Sequence, residues 1–589
     1  MSRFLLCAVL LCAVVLPASW AVAATVYIDP TCPNNGDGTL GTPCAASGGG
    51  AGPRNTWVGV TWTAGNTYAG RGGTTANVTN LIITASGTLG NPITVTSYGI
   101  GQHTLNGVGS YAIASIDRSH ITYNNLHITS DAGRGIYFST VTGQSTSLTV
   151  TKCLISHTEG AGIVLGDNTV PSYMTNVIIT FNTFDTIGGT GIEYGSIPSG
   201  NSSTWDTHTI TDNSFNNMGT TSTNSAISIV MTAGTKAKFT HVKIQRNTVR
   251  NTNNGDVNPA YAIRLIRSPQ GTGIEARFSG VIISDNTITT TRNGGILLSS
   301  AGGANSIYRN TITNVDANAA IAVFNSDGVV VEQNVISGVR PLAESSYIDG
   351  MGLDLEFSTN LTIRRNSIAN NLGNAAHASG GQGVYVVGNT GTLVAGNLMS
   401  GNKNGLVIDG GIGGGASTVS HNTIVNSTKH GIWASPSYTQ GNILINNIVY
   451  GSAGWGIYDG GVGTKQTLIN NLFFNNTDGN YGNHTAGLND VQADPGFKSA
   501  TDFGLKSVSS PAHLTGSLAG TCVDFRGHVC WIPPDIGAFQ YPPDGTPPTA
   551  PVGLLISKLV HTRLTPTPTV CRMEGRMGGR CRLNRKVNS

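Results

Sequence analysis

The feature that most constrains this chain is an asparagine that returns in a turn of the form Asn-x-aliphatic. It occurs at Asn182, Asn213, Asn247, Asn286, Asn310, Asn334, Asn366, Asn397, Asn422, Asn447 and Asn471. The separations range from 24 residues (286 to 310) to 39 residues (247 to 286). A minimum spacing with insertions is typical of a solenoid whose coils stack while loops grow at the turns. Asparagine suits this turn because it tolerates a left-handed backbone and can hydrogen-bond the asparagine of the next coil.

The segment that follows each turn has a strand pattern. It occupies residues 191–194, 262–265, 295–298, 320–323, 352–355, 383–386, 405–408, 431–434 and 456–459. The second and fourth positions are apolar almost throughout, whereas the third position varies. This alternation places the second and fourth side chains in a core and the third on an exposed face. With three short strands per coil, the repeat predicts an all-β, right-handed parallel β-helix of about thirteen coils.

The regions outside the repeat predict processing and capping segments. Residues 1–23 join Arg3 to an apolar run and a small-residue end, a pattern typical of a secretory signal peptide. Residues 24–90 and 483–541 are predicted to cap the repeats at 91–482, because a solenoid must cover its terminal apolar faces. Residues 542–589 are predicted to be a Pro/Thr linker followed by a disordered basic tail.

The cysteines predict two local disulfides. Cys32 lies near Cys44 and Cys522 lies near Cys530 in the sequence, and an exported protein can keep such bridges oxidised. Cys153 occupies the position of the turn asparagine in its repeat, and we expect it to be a buried thiol.

Charge and hydropathy exclude several classes of protein. Only 11% of the residues are charged and the net charge is +3, which argues against a nucleic-acid-binding surface. Beyond the signal peptide no apolar stretch reaches the length of a membrane span. We therefore expect a soluble monomer that is secreted, either extracellular or periplasmic.

The chain resembles the secreted bacterial proteins with right-handed parallel β-helix repeats, the pectin-lyase-like superfamily. The resemblance rests on Tyr27-Ile28-Asp29-Pro30, on the Asn-x-aliphatic turns and on the closing segment 535–539. It implies the fold for residues 25–541. Because that fold carries polysaccharide lyases, glycoside hydrolases, epimerases and non-catalytic adhesins, the resemblance does not select an activity. The Asp-Pro-His signature of mannuronan epimerases and the motifs of pectate lyases and polygalacturonases are absent.

The variable third positions predict a face suited to a polysaccharide. They are Glu193, Ser228, Arg264, Leu297, Ala322, Asp354, Tyr385, Val407, Trp433 and Tyr458. Sugar rings stack on aromatic side chains, and their hydroxyls bond to charged groups. We therefore predict Arg264, Tyr385, Trp433 and Tyr458 as substrate-binding residues. The alternative is that outward Tyr and Trp are ordinary strand formers.

Three carboxylates on this face are candidates for catalysis. Asp354 and Glu356 are two residues apart on one strand, and Asp409 follows two coils later. Inverting glycosidases hold two carboxyls ~6.5–9.5 Å apart. We predict that Asp354 or Glu356 is the general acid, and that the other, or Asp409, is the base. The alternatives are solvated strand acids, or a Ca²⁺ site that would include Asp349.

A lyase and a non-catalytic binding or adhesion protein are the rival interpretations. A lyase needs a cation for the uronate carboxylate and a base. The candidate cations are Arg264, Arg267, Arg364 and Arg365, and the candidate base is His377. In an enzyme, the long loops 250–262, 338–351 and 370–382 are expected to line one cleft beside Asp354. In a structural protein they would be scattered.

Overall fold

The computed structural model describes residues 23–140, 144–166, 173–197, 203–219, 225–232, 236–252, 261–268, 277–292, 294–341, 350–373, 380–409, 415–434, 441–460, 465–517 and 522–541. The predicted signal peptide (apart from Ala23) and the predicted linker and tail lie outside these residues. The described residues form strands, turns and bends but no α-helix. Accordingly, no helix in these ranges has the length and hydropathy needed to cross a membrane.

The strands form three sheets, in which each coil places one strand on the equivalent strand of the next coil. The first sheet contains Thr25–Ile28, Thr67–Arg71, Ile93–Tyr98, Ile121–Asn124, Gln144–Thr151, Tyr173–Thr180, Thr204–Thr211, Lys238–Gln245, Phe278–Ser279, Ile282–Ser284, Ser306–Tyr308, Val330–Glu332, Thr362–Arg364, Leu393–Ala395, Thr418–Ser420, Ile443–Ile445 and Thr467–Ile469. The second sheet contains Thr75–Val78, His103–Gly107, Leu126–Ser130, Leu154–Thr158, Thr183–Ile187, Ser214–Met218, Thr248–Arg250, Thr287–Thr289, Thr311–Thr313, Val335–Ser337, Ser367–Ala369, Leu398–Ser400, Thr423–Val425, Ile448–Tyr450 and Leu472–Phe474. The third sheet contains Leu81–Ile83, Tyr111–Ile116, Arg134–Ser139, Ile163–Leu165, Ile192–Ile197, Ile227–Thr232, Tyr261–Ser268, Gly294–Ser299, Ala319–Phe324, Met351–Glu356, Gln382–Val387, Asn404–Asp409, Ile432–Ala434, Trp455–Asp459 and Gly479–Gly482.

The pairing within the sheets is parallel and its register follows the repeat. The second and third sheets have 15 strands each, which gives fifteen described coils against the about thirteen predicted. Residues 67–83 already supply one strand to each sheet, inside the segment 24–90 that was predicted to be a cap. The exact boundaries of the caps stay a prediction. The parallel β-helix itself is confirmed.

The core lies between the three sheets and is filled by the inward side chains of every coil. In the strand Met351–Glu356, Leu353 and Leu355 have no exposed surface, as the alternation predicts. The corner that leads into the third sheet explains why this strand begins with a small residue. A Cβ added to Gly405 would overlap the Ile424 side chain, and one added to Gly352 would overlap Ile368.

The turn asparagines form a buried ladder between the first two sheets. Asn366, for example, donates from its backbone N–H and its Nδ2 to Oδ1 of Asn397, over 2.9 Å in each case. Its Nδ2 also donates to the carbonyl of Val331 in the preceding coil. The bond to the next coil's asparagine is therefore confirmed. The ladder ends at Asp490, whose carboxylate accepts the backbone N–H of Asn471.

The predicted left-handed backbone of these asparagines is wrong. Positive φ belongs to the residue before the ladder position, such as Arg365 (φ 60°) before Asn366 and Asn446 (φ 57°) before Asn447. The ladder asparagine begins the next strand, and its backbone N–H must point along the stack to reach the neighbouring amide.

Both predicted disulfides are present. Cys32 joins Cys44 with Cα atoms 5.5 Å apart, and Cys522 joins Cys530 with Cα atoms 5.3 Å apart. Cys153 is a buried thiol at the ladder position, and its backbone N–H donates to Asn182 Oδ1.

The C-terminal segment folds back along the coils. Gly537 donates to the carbonyl of Asn446, and Ala538 donates to Thr423 Oγ1. The segment therefore covers the corner between the first and second sheets. These contacts do not lie on the outward side of the third sheet.

Candidate functional site

The outer face of the third sheet carries the predicted third-position residues in one continuous row. The strand register pairs Arg264 with Leu297, then Ala322, Asp354, Tyr385, Val407, Trp433 and Tyr458. A second row contains Phe324, Glu356, Val387 and Asp409. A third row, at the start of the strands, contains Tyr261, Ala319, Met351, Gln382, Asn404 and Trp455. His430, two residues before its strand, donates from its backbone N–H to Asn404 Oδ1 in this row. We call this surface the outer face.

Asp354 is not exposed as the alternation predicted. Its side chain is 0% accessible, and Asn318 Nδ2 donates to its Oδ2 over 3.1 Å. An apolar cluster on the outer face explains part of this burial: Tyr261, Ile266, Leu297, Ala319, Ala322 and Met351. Strand alternation distinguishes inside from outside but does not reveal when the outside is covered, so the sequence indicated the direction of Asp354 correctly and its exposure wrongly.

Tyr261 lies near this pair and was not identified from the sequence. Its phenol interacts electrostatically with the Asp354 carboxylate, to which Asn318 Nδ2 donates. Burial raises the pKa of Tyr261 well above its usual value, and the Asp354 and Glu356 carboxylates raise it further. The phenol thus keeps its proton and acts as a donor rather than as a base. It precedes the Ala-Ile start of its strand and had no pattern of its own.

Glu356 and Asp409 are two outer-face carboxylates with accessible surface. Both are half-buried, and they lie in one row with the half-buried Val387 between them. Two strand spacings separate their Cα atoms by ~10 Å. A short aliphatic side chain between two carboxylates leaves room above it for part of a ligand.

Arg264 is a half-buried cation on the outer face. Burial lowers the pKa of its guanidinium, and the nearby Tyr261 opposes that shift. Its Nε is buried and has no hydrogen-bond acceptor among the described residues. Arg264 is three strands from Asp354, or ~14 Å, so the two groups do not form an ion pair.

Two of the other predicted cations lie elsewhere. Arg364 is on the first sheet and pairs with Glu332 over 2.7 Å. Arg365 packs against the C-terminal segment, near the carbonyl of Phe525. Neither can serve the outer face. They lie two residues and one residue before the ladder residue Asn366, and that position was the available signal that they belong to another sheet.

Aromatic side chains collect at the far end of the outer face. The rings of His430 and Tyr458 stack with centroids 5.0 Å apart, and Lys429 Nζ lies 5.2 Å from the centre of the Trp433 ring. Trp455 follows on the next-to-last strand. Tyr385, Trp433 and Tyr458 are all half-buried, so they retain surface that a ligand can touch.

Several predictions fall outside the described residues. His377 and Asp349 are among them, as are most of the long loops at 250–262, 338–351 and 370–382. The common cleft expected of those loops, the base His377 and the Ca²⁺ site stay predictions.

A separate groove of about 640 Å³ lies at the corner before the third sheet, where Asn251, Thr290, Arg292, Asp316 and Arg340 line it.

Two family models match parts of the chain. The right-handed β-helix region matches residues 240–412, and the periplasmic copper-binding protein NosD matches residues 372–491. No curated protein matches the chain.

Solved structures with distant similarity include three enzymes. Pectate lyase Pel9A is 12% identical, covers 88% of this chain and 96% of its own, and has a TM-score of 0.21. An alginate lyase from Paenibacillus sp. is 15% identical over 65% and 91%, with a TM-score of 0.27. A lacto-N-biosidase from Eubacterium ramulus is 12% identical over 80% and 68%, with a TM-score of 0.27. At these scores the similarity says nothing about activity.

The described residues of the NosD-like segment do not fit a copper centre. Copper prefers imidazole and thiolate ligands. His421 Nε2 contacts Asn446, His430 Nδ1 accepts a backbone N–H, and both nitrogens of His484 contact carbonyls. In the described ranges, one group of three potential ligands converges, namely Asp29, Cys32 and Cys44, whose cysteines form a disulfide.

The family match and the coil register agree on one architecture. The strands of three parallel sheets repeat once per coil, the asparagine ladder joins the coils, and the right-handed β-helix model matches the centre of the chain. The chain is a right-handed parallel β-helix repeat protein.

Proposed function

We propose that the protein binds a polysaccharide along the outer face of the third sheet and hydrolyses it, with Glu356 and Asp409 as the two catalytic carboxyl groups. The observation that carries this proposal is the row Glu356–Val387–Asp409. Its two accessible carboxylates are ~10 Å apart at Cα, and side chains that lean toward each other would reach the ~6.5–9.5 Å range of inverting glycosidases. One carboxyl donates a proton to the leaving oxygen, and the other activates the attacking water.

Asp354 has a different part in this scheme. Because it has no exposed surface, it cannot touch a polymer in this arrangement, whereas Glu356 on the same strand can. Its hydrogen bond from Asn318 supports a role as a positioning residue that fixes the strand Met351–Glu356. The sequence-based choice of Asp354 as acid or base is therefore replaced by the pair Glu356 and Asp409.

A first test is digestion of neutral and uronate polysaccharides, followed by measurement of reducing ends and ultraviolet absorbance. New reducing ends without absorbance are expected. The Glu356→Gln and Asp409→Asn variants are each expected to lose about 10²–10⁴-fold in kcat, the usual contribution of a general acid or base. Asp185→Asn is the matched control, because this half-buried carboxylate lies on the second sheet, where Asn216 donates to it. Wild-type rates in both active-site variants would overturn the assignment.

A lyase is the second candidate, and Arg264 favours it. Its buried Nε lacks an acceptor among the described residues, and the protonated Tyr261 phenol lies nearby. In such a reaction the guanidinium would neutralise the uronate carboxylate, and the predicted base His377 would take the α-proton and pass it to the leaving oxygen. Ultraviolet-absorbing unsaturated products, lost in Arg264→Gln but kept in Asp409→Asn, would establish this reaction instead of hydrolysis.

A further inference from the structure

Trp455 lies flat on the last strand of the outer face. A Cβ added to Gly479 would be 2.7 Å from Trp455 Cζ3, and one added to Gly482 would be 2.7 Å from Trp455 Cγ and Cδ2. These two glycines occupy outward positions of the strand Gly479–Gly482, so the indole spans both of them and rests on the backbone. The side chain is half-buried, which leaves one side of the indole toward the surroundings.

The neighbouring His430 adds a fixed polar group. Its Nδ1 accepts the backbone N–H of Trp455 over 3.2 Å, and its ring stacks on Tyr458. Burial and the nearby Lys429 ammonium lower the pKa of His430 to about 4. The imidazole is therefore neutral at pH 7, and with Nδ1 as acceptor its proton is on Nε2. Nε2–H is then a hydrogen-bond donor at the edge of the aromatic group.

This end of the outer face differs from an end cap of the core. Aromatic side chains that close a solenoid point inward against the last coil, as Phe473 does with 0% accessibility. Trp455, in the preceding coil, instead lies on the outward side of the third sheet. Half-exposed aromatic surface beside fixed hydrogen-bond donors is suited to a sugar ring, whose C–H bonds stack on the indole while its hydroxyls bond at the edge.

We propose that Trp455, with His430 and Tyr458, forms a stacking subsite for a pyranose ring of the bound polysaccharide. This inference rests on the proposed function and deepens it. Trp455 lies two strands beyond Asp409 and four strands beyond Glu356, or ~10 and ~19 Å along the stack. A polymer that runs along the outer face therefore reaches both, whereas a short oligosaccharide held at the carboxylates does not reach Trp455.

The test compares Trp455→Ala with the full-length wild type in gel retardation by each polysaccharide of the panel. For the polysaccharide that retards the wild type, we expect Trp455→Ala to bind about tenfold more weakly, the usual cost of removing a central aromatic contact. Trp455→Phe should restore part of the affinity. Tyr173→Ala removes a half-exposed aromatic of the first sheet and should bind as wild type. Thermal unfolding of each variant identifies any that fail to fold. If Trp455→Ala fails, the affinity of Trp455→Phe and the quenching of wild-type tryptophan emission by the polysaccharide test the subsite instead.

Kinetics separate this subsite from the chemistry. A subsite that holds ground state and transition state equally raises KM on the polymer and leaves kcat unchanged in Trp455→Ala. Retardation of the wild type and Trp455→Ala to the same extent would overturn the subsite while leaving the carboxylate proposal intact. Retardation of Trp455→Ala below wild type without cleavage by either protein would support the subsite and overturn hydrolysis. Retardation of neither protein by any polysaccharide would overturn both.

Discussion

At the residue scale, the ladder asparagines stabilise the stack through their side chains. Each amide has an acceptor and a donor in contact with neighbouring coils, so one residue satisfies buried backbone groups of two others. Asn366 Oδ1 accepts both the backbone N–H and the Nδ2 of Asn334. The turn itself is made by the preceding residue with positive φ. The preceding residue thus sets the backbone shape of the turn, and the asparagine makes the hydrogen bonds between coils.

The first prediction at this scale concerns Asn366→Ala. The change leaves the backbone N–H and Nδ2 of Asn334 buried without this acceptor, and each unsatisfied group costs roughly 1–3 kcal/mol. We expect the free energy of unfolding, measured in urea, to fall by about 3 kcal/mol. Asn77→Ala, at an exposed position of the second sheet, is the control and should change it by less than about 0.5 kcal/mol. An Asn366→Ala effect as small as the control would contradict the ladder's role.

At the element scale, the corner before the third sheet determines which residues can begin its strands. Ala262 and Ala320 occupy this position in two coils, and Gly352, Gly383 and Gly405 occupy it in others. At Gly352 and Gly405 an added Cβ would overlap an isoleucine side chain. At Gly383 it would overlap the Gly405 carbonyl oxygen, so glycine is the residue that fits at these three corners.

The prediction for this element is that Gly405→Ala destabilises the protein. The new Cβ would overlap Ile424 and lie 2.7 Å from the carbonyl oxygen of Gly431, so the core must shift. Overpacking of this kind costs roughly 1–3 kcal/mol. Calorimetric unfolding should show a lower Tm for Gly405→Ala. The reverse change at the equivalent position, Ala320→Gly, should cost at most about 1 kcal/mol. Equal stability of Gly405→Ala and wild type would show that the corner is looser than this packing indicates.

At the scale of the whole molecule, buried histidines couple stability to pH. Burial is the main cause that lowers the pKa of His103, His208, His421 and His430 to about 4 in each case. Unfolding restores a pKa near 6.5, so the unfolded chain binds more protons between these two values. Stability is therefore complete above pH 6.5 and falls as the pH drops toward 4.

His421→Asn tests this coupling at one site. His421 has φ of 53°, a conformation that asparagine accepts readily, so the change removes the titration without straining the turn. We expect the loss of unfolding free energy between pH 7 and pH 4 to shrink by about 3 kcal/mol, the linkage of one such histidine. Gln333→Asn, at another turn residue with positive φ, is the control. An unchanged pH slope in His421→Asn would show that this imidazole does not resist protonation in the folded state.

Much of the fold and little of the candidate site could be predicted from residues alone. The Asn-x-aliphatic turn and the period of two identified the coils, the core positions and the register that aligns Arg264, Asp354 and Tyr385. The proximity of Tyr261, Asn318 and Asp354 could not be found this way. Tyr261 and Asp354 follow insertions of different length, and no local pattern relates a tyrosine at the start of one strand to a carboxylate three strands away.

What the sequence by itself determined is the stack: a periodic pattern repeats the same backbone hydrogen bonds in every coil, so it can be read one coil at a time. The two disulfides belong to the same category, because their cysteines are close along the chain. What only the tertiary structure decided is exposure. Asp354 is buried and Glu356 is accessible on one strand, and Trp455 lies flat because Gly479 and Gly482 leave it room. Such differences arise from the side chains of neighbouring coils, which the alternation along a single strand does not contain.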